Sequence, residues 1–477
     1  MKKLFLATIL LLGFAAATVA QNDIDAFRFS QYDYEGTARF LGAGGAFSSV
    51  GAEFSALNVN PAAIGVYKKN EITFTPLVIS IYNNNALYNG HTSHTSTVKY
   101  SLTNAGGAFR IGLGEGSGWK SINLGFGYNR ICDYNNTYRI EGQSNNSSMM
   151  DEFLANVQGH ALSSFSDNEL LAWKTYMIDS LGNQYYSPFA HKSLHQKLVV
   201  ESSGAKDEMA FSFGGNYNDQ IFIGATIGVP IISYNEKTKY AEEDDQNSTY
   251  ISSYGITEYL RIRTTGVNLK LGIIYQPVDF VRIGAAFHTP SYFGRVRNTY
   301  TRTMASYYPD GNGSGTFESN YSFNYTLTTP LRAIGSVAFL IKKRAFLSAE
   351  YEFTGMGMAR MSSNEYSFDE ENEAIQEKYG ACHTVRVGGE VYVTNNFLLR
   401  AGYNFKSSAY RNTVNNNNAM HTASAGFGFR TKYFFCDFAY IFKTKSENLW
   451  MYDSDFVDPA SVKSNTHRIA ATIGCKF

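Results

Sequence analysis

Few side chains in this 477-residue chain are spaced for chemistry. Two histidine pairs, His91/His94 and His191/His195, are of metal-ligating type, but they stand in polar stretches where unliganded histidines are common. The run Glu242-Glu243-Asp244-Asp245 would suit calcium, yet it lacks EF-hand spacing and reads as a solvated acidic loop. Glu350 and Glu352, two apart on one strand face, could form an acid/base pair. Arg386, Arg400 and Arg430, expected on the same face, account for them instead as ion-pair partners. Gly42, Gly44 and Gly45 are not spaced as G-x-G-x-x-G, and no strand-then-helix unit surrounds them. No nucleophile–base set appears, and no pair of residues can be named as axial ligands for haem. Cys132, Cys382, Cys436 and Cys475 include no C-x-x-C pair. They read as small apolar residues on strands, with two disulfides as the alternative in an exported chain. An enzyme, a metal site and a cofactor are therefore not expected.

The elements that carry these residues are strands. Tyr and Phe number 34 and 35, Gly 42 and Pro only 9, a mixture that favours strands joined by tight turns. Val267, Leu269, Leu271, Ile273 and Tyr275 alternate with Gly266, Asn268, Lys270 and Gly272. Val385, Val387, Val391 and Val393 alternate with Arg386, Gly388 and Glu390, and similar runs recur to the end of the chain. The pattern predicts about fourteen strands, among them 256–276, 279–292 and 319–341. Connections alternate between short and long. Residues 276–278 and 394–395 are turns, whereas 135–206, 236–255 and 295–318 are long and polar. Short turns on one side and long loops on the other are the signature of a transmembrane antiparallel β-barrel. Leu269 and Val387 should then face lipid, and Gly388, on the lumen face, should accept a serine. Formal net charge is zero, which argues against a nucleic-acid partner.

Two helices are expected in the outer loop 135–206. Met149, Met150, Phe153, Leu154 and Val157 recur at helical spacing. Ser166 and Glu169 suggest a capping box for a second helix through Leu170, Leu171, Tyr176 and Leu181, closed by Gly182. Their apolar stripes suit either a lid on the barrel rim or a first landing site for greasy ligands.

At the N-terminus, Lys2-Lys3, an apolar run and Thr18-Val19-Ala20 read as a signal peptide over residues 1–20. Residues 21–70 follow as a separate unit. Within it Gly36–Lys69 is almost uncharged, rich in Gly and Ala, and neither helical nor alternating in pattern. Fourteen strands enclose more space than wall side chains can fill, so this segment is expected inside as a hatch, with the barrel spanning 71–477. Asn60-Pro61-Ala62 should form a fixed turn and Gly42, Gly44 and Gly45 should approach the wall closely.

Gly-Thr-Ala-Arg-Phe-Leu-Gly-Ala-Gly-Gly-Ala-Phe, with Ala56 and Asn60-Pro61-Ala62, resembles the N-terminal hatch of the FadL/TodX family of outer-membrane barrels. "VNLKLGIIYQPVDFVRIGAAFHTP" and "HTVRVGGEVYVTNNFLLRAGYNFKSSAY" look like hairpins of the same family. The resemblance implies passive uptake of hydrophobic molecules such as long-chain fatty acids, in the outer membrane of a Gram-negative bacterium. Outer-membrane lipids and the barrel-assembly machinery are the implied partners; the final alternating strand ending on Phe477 resembles the assembly signal. A non-transporting scaffold barrel of the FadL-like PorV kind is the alternative. Phe27, Phe29, Tyr32, Tyr34 and Phe40, which lead into the hatch, are the candidate ligand contacts.

Overall fold

The computed structural model describes residues 23–477 apart from 115–117, 247, 343 and 415; the expected signal peptide lies outside the described residues. Fourteen antiparallel strands close into a barrel: β1 (Glu71–Tyr88), β2 (Asn104–Gly112), β3 (Trp119–Asp133), β4 (His195–Tyr217), β5 (Ile221–Glu243), β6 (Asn268–Val278), β7 (Val281–His288), β8 (Arg332–Ile341), β9 (Ala345–Gly355), β10 (Ala381–Tyr392), β11 (Phe397–Lys406), β12 (Met420–Arg430), β13 (Phe434–Leu449) and β14 (Ala460–Lys476). Each pairs with the next, and β14 returns to β1. No described helix is long and apolar enough to cross a membrane; the strands cross it. Leu269, Leu271, Ile273, Val385, Val387 and Val391 are exposed on the outer face, while Lys270, Arg386 and Glu390 between them are buried in the lumen. This is the apolar-out, polar-in alternation of an outer-membrane barrel.

Several strands continue outward beyond an interruption and keep register across it with one of their two neighbours. Ser253–Thr265 and β6 share one pairing frame against β5, broken at Gly266-Val267. β7 and Tyr292–Tyr307 are likewise one column, as are Phe317–Thr328 and β8. Pro290 and Pro330 stand in those two breaks, where an absent N–H removes a ladder bond. The polar stretches 236–255 and 295–318, expected as loops, are therefore largely strand. Their inward faces are buried but mix polar residues such as Glu242, Asn298 and Ser306 with Tyr240 and Met304, so no continuous apolar face marked them as strands. Between β2 and β3 the ladder ends where Arg130 N donates to Thr103 O at 2.8 Å. Above it His91–Ser101 and Asn136–Gln143 meet through side chains, such as Thr95 Oγ1 donating to Thr137 O at 2.7 Å, leaving a seam in the wall.

Helices cover the outer opening. α1 (Asp23–Ser30) and α2 (Ala38–Gly42) precede the barrel, and α3 (Met149–Val157), α4 (Asp167–Lys174) and α5 (Asp369–Lys378) lie in outer connections. Met150, Phe153, Val157 and Leu171 are buried together with Leu198, Tyr254 and Met304 of the rim, so the stripes form a lid. α4 stops at Lys174, short of the expected end. Ser166 Oγ turns to the Glu169 carboxylate rather than to a backbone amide. Leu181 and Gly182 belong instead to a small ribbon, Asp179–Leu181 with Gln184–Tyr186.

The face assignment predicts an asymmetry. Leu269→Arg and Val387→Arg place a charge on the lipid face at a cost of about 2–4 kcal/mol near the midplane. Both should lower the amount of heat-resistant folded barrel in outer-membrane fractions; wild-type amounts would contradict the topology.

Candidate functional site in the barrel lumen

Residues Asp23–Asn70 fill the barrel. Thr37 caps α2 by accepting from Phe40 N at 3.2 Å, and Leu41 N closes its turn onto Thr37 O. The chain then reverses through Gly44 and Gly45, with φ of +65° and +78°. Here the hatch backbone lies directly on wall backbone. A Cβ added to Gly402 would stand 2.2 Å from Gly44 N, and one on Gly388 2.0 Å from Ala43 O. Gly388 was expected to accept serine because it faces the lumen; it does face the lumen, but the lumen is occupied, so serine would collide with the hatch. Gly42 needs no such explanation: its φ is ordinary, and an added Cβ would make a normal 3.4 Å contact with Ala439.

Asn60-Pro61-Ala62 forms the second anchor. Asn60 Oδ1 accepts from Ala62 N at 3.0 Å, with Pro61 starting a short 3-10 helix over Pro61–Val66. Asn60 Nδ2 donates to Ser48 O at 2.8 Å and to Ile273 O of β6 at 3.3 Å. Glycine again marks the wall opposite: a Cβ on Gly272 would fall 1.9 Å from Asn60 Oδ1 and one on Gly224 2.3 Å from Pro61 O.

Charge fixes what glycine admits. Arg39 forms a two-pronged pair with Glu390 of β10, both contacts 2.9 Å. Arg400 bridges Glu390 at 2.6 Å and Asp437 at 2.7 Å, and Arg430 joins Asp437 at 3.1 Å. Arg386 bridges Glu350 and Glu352, Arg332 Nε donates to Glu352 at 2.8 Å, and Glu350 accepts from Ser48 N of the hatch at 3.2 Å. Glu350 and Glu352 are thus spent on ion pairs and hatch docking. Arg400 and Arg430, expected to pair with them, do not, because register sets Arg386 opposite Glu350 and Arg400 opposite Glu390. Other wall groups hold hatch carbonyls: Lys206 on Phe29 O and Gln31 O, His288 on Val59 O, and Arg282 on Val50 O. Arg468 pairs with Glu35. None of these wall partners could be found from sequence, since the hatch has no regular period to register against them. Arg39, a charge in a nearly uncharged stretch, was the available signal.

No protein-family model matches the sequence, and no curated protein sequence matches it. Solved structures do match along nearly the whole chain. A FadL homologue from Pseudomonas aeruginosa superposes with a TM-score of 0.57 at 12% identity, over 94% of this chain and 99% of that one. The Pseudomonas putida toluene transporter TodX gives 0.55 at 13%, over 93% and 99%. The monoaromatic hydrocarbon channel CymD gives 0.51 at 11%, over 94% and 99%. The fold is that of the FadL channels.

Within this FadL-type fold the five aromatic residues singled out in the sequence do not surround one cavity. Phe27 stacks on Tyr379 at 4.6 Å, and Phe29 sits edge-on to Tyr134 and Tyr234 at 5.9 and 6.0 Å, both under the outer rim. Asp23 at the start of α1 pairs with Lys378 of α5 at 2.9 Å, so the N-terminal helix reaches the outer side of the lumen. Tyr34 and Phe40 belong to the hatch core deeper in, beside a cavity of about 30 Å³, room for about one water. Tyr32 lies between the two groups, with Lys206 Nζ at 3.6 Å and the Arg332 guanidinium at 3.9 Å from its ring centre. His94, His191 and His195 bond Asn85, Asp151 and Glu141, and no group of three metal-type ligands occurs among the described residues. Glu242 is no solvated loop residue: it is buried at the end of β5 and accepts from Ser148, Met149 N, Gln196 and Tyr240. All four cysteines are free thiols on barrel strands.

Proposed function

We propose that this protein is an outer-membrane channel for passive uptake of hydrophobic small molecules, closed at rest by its own N-terminal segment. The observation that supports it best is the FadL-type hatch, which fills the lumen yet is held by ion pairs and close packing, contacts that a binding event can exchange. α1 brings Phe27 and Phe29 into an aromatic nest beneath the outer lid, a setting an apolar ligand would share. A fatty acid is the finer proposal. Arg332 is buried, and its Nη1 and Nη2 have no hydrogen-bond partner among the described residues, although Nε is paired with Glu352. A carboxylate entering beside Tyr32 would satisfy both. The seam between His91–Ser101 and Asn136–Gln143 offers a way sideways into lipid, which suits a molecule poorly soluble in water.

Proteoliposomes containing the full chain should take up a labelled long-chain fatty acid faster than empty vesicles, and Arg332→Met should reduce that uptake more than uptake of toluene. Fatty-acid uptake no faster than in empty vesicles would contradict the channel. Recovery of a stoichiometric protein partner in its place would favour the scaffold of the PorV kind.

A further inference from the structure

The outer face carries a repeated device that the transport reading does not use. On three successive ascending strands a Tyr-x-Phe pair faces lipid: Tyr351/Phe353 on β9, Tyr403/Phe405 on β11 and Tyr440/Phe442 on β13. On each neighbouring descending strand a histidine stands directly opposite the Phe: His383, His421 and His467. In every case the Tyr hydroxyl and His Nδ1 are hydrogen-bonded, at 2.7, 2.6 and 2.7 Å. The Phe and His rings are 6.0, 5.0 and 5.1 Å apart.

Register puts the three sets at one depth. Each Tyr lies two residues lower than the row drawn from the preceding one: Tyr351 aligns through Val385 with Phe405, and Tyr403 through Ala423 with Phe442. Extended round the barrel, a row leaving β1 at Thr73 returns near Leu87, an outward climb of about one residue per strand. Two residues down for every two strands cancels that climb. The girdle of Phe434, Phe429 and Phe477 lies six residues below Tyr440, eight below His421 and ten below His467, roughly 15–25 Å along the barrel axis once strand tilt is included, comparable to the height of the apolar band. The Tyr–His sets therefore lie in an arc along the outer edge of the hydrocarbon, from β9 to β14.

Directly beneath two of them runs a large apolar groove on the outside of the wall. Its floor is Gly389, Ala401 and Ala425, its sides Leu399, Phe427 and Phe438, and Tyr403 and Tyr440 close its upper end. Head and tail positions thus adjoin. Whichever nitrogen carries the imidazole proton, each Tyr–His pair keeps one donor free: Nε2–H when Tyr donates, the Tyr O–H when Nδ1–H donates. We propose that this face is a binding site for one phosphate-bearing lipid of the outer leaflet. Its phosphate accepts from the Tyr403–His421 and Tyr440–His467 pairs, and an acyl chain lies in the groove.

The test is native mass spectrometry of the full chain, folded into nanodiscs with bis-phosphorylated lipid A or with its dephosphorylated form and then stripped with detergent. The wild type should retain one phosphorylated lipid and little of the dephosphorylated form. Tyr403→Phe and His421→Phe together with Tyr440→Phe and His467→Phe, which remove both members of each pair, should lower retention at least about tenfold, as loss of hydrogen bonds to a charged group implies. Ala401→Leu with Ala425→Leu, which fills the groove and leaves the imidazoles intact, should do the same. Heat-resistant migration confirms folding of each variant. Retention indifferent to phosphate, unchanged in both variants, or replaced by free fatty acid would overturn the site.

Discussion

Replacing Gly44 by Leu should unseat the hatch and leave the wall closed. Gly44 has φ of +65°, and an added Cβ would lie 2.9 Å from Tyr403 N and 3.2 Å from Gly402. A left-handed conformation costs a side-chain-bearing residue about 1–2 kcal/mol. Overpacking against backbone adds about 1–3 kcal/mol more. The wall's own ladder closes from strand to strand below the seam and does not include Gly44. Limited proteolysis should then cut within residues 23–70 while the barrel keeps its heat-resistant migration. Gly402→Leu raises the same overlap from the other side and should give the same fragments. A hatch as protected in these variants as in wild type would contradict the packing.

Glu390→Ala should loosen the hatch by about 3–5 kcal/mol, the range for removing one member of a buried ion pair. Glu390 serves two guanidinium groups, Arg39 of the hatch and Arg400 of the wall, and its side chain is almost wholly buried. Without it both cations are left in the lumen, Arg400 with Asp437 and Arg39 with the Ala52 carbonyl. Arg39→Ala should cost less, because Glu390 keeps Arg400. In a double-mutant cycle, read by the denaturant concentration at which protease first reaches the hatch, the two changes should fall well short of additive. Full additivity would show that the pair is not what docks the segment.

How far sequence carried this account depended on period. Alternation at 267–275 and 385–393 placed lipid and lumen faces correctly, because an apolar outer face is a demand that one strand states alone. The strand number followed from the same signal, and the interruptions at Gly266-Val267 and Thr329-Pro330-Leu331 did not disturb it, since across each the register with one neighbouring strand is kept. Pairings between elements were another matter. Glu390 with Arg400, Arg332 with Glu352 and the Tyr–His sets depend on which residue of a neighbouring strand falls opposite, a quantity no single strand contains. The hatch was legible as a segment that had to be enclosed, and Gly44 as a residue near the wall. Its docking on Gly388 and Gly402 was not, so serine at Gly388 looked harmless. Strand extensions above the membrane bury an inward face that mixes polar and apolar residues under a polar outer face, so they lack the pattern that exposes a strand and read as loops.

The claim at the centre is that residues 23–70 close the lumen. Planar-bilayer recording compares the intact barrel with a chain lacking residues 23–66 that retains heat-resistant migration. The intact protein should be electrically silent, and the shortened one should conduct in steps of uniform size at every holding voltage. A shortened barrel that stays silent would place the closure elsewhere and contradict the account.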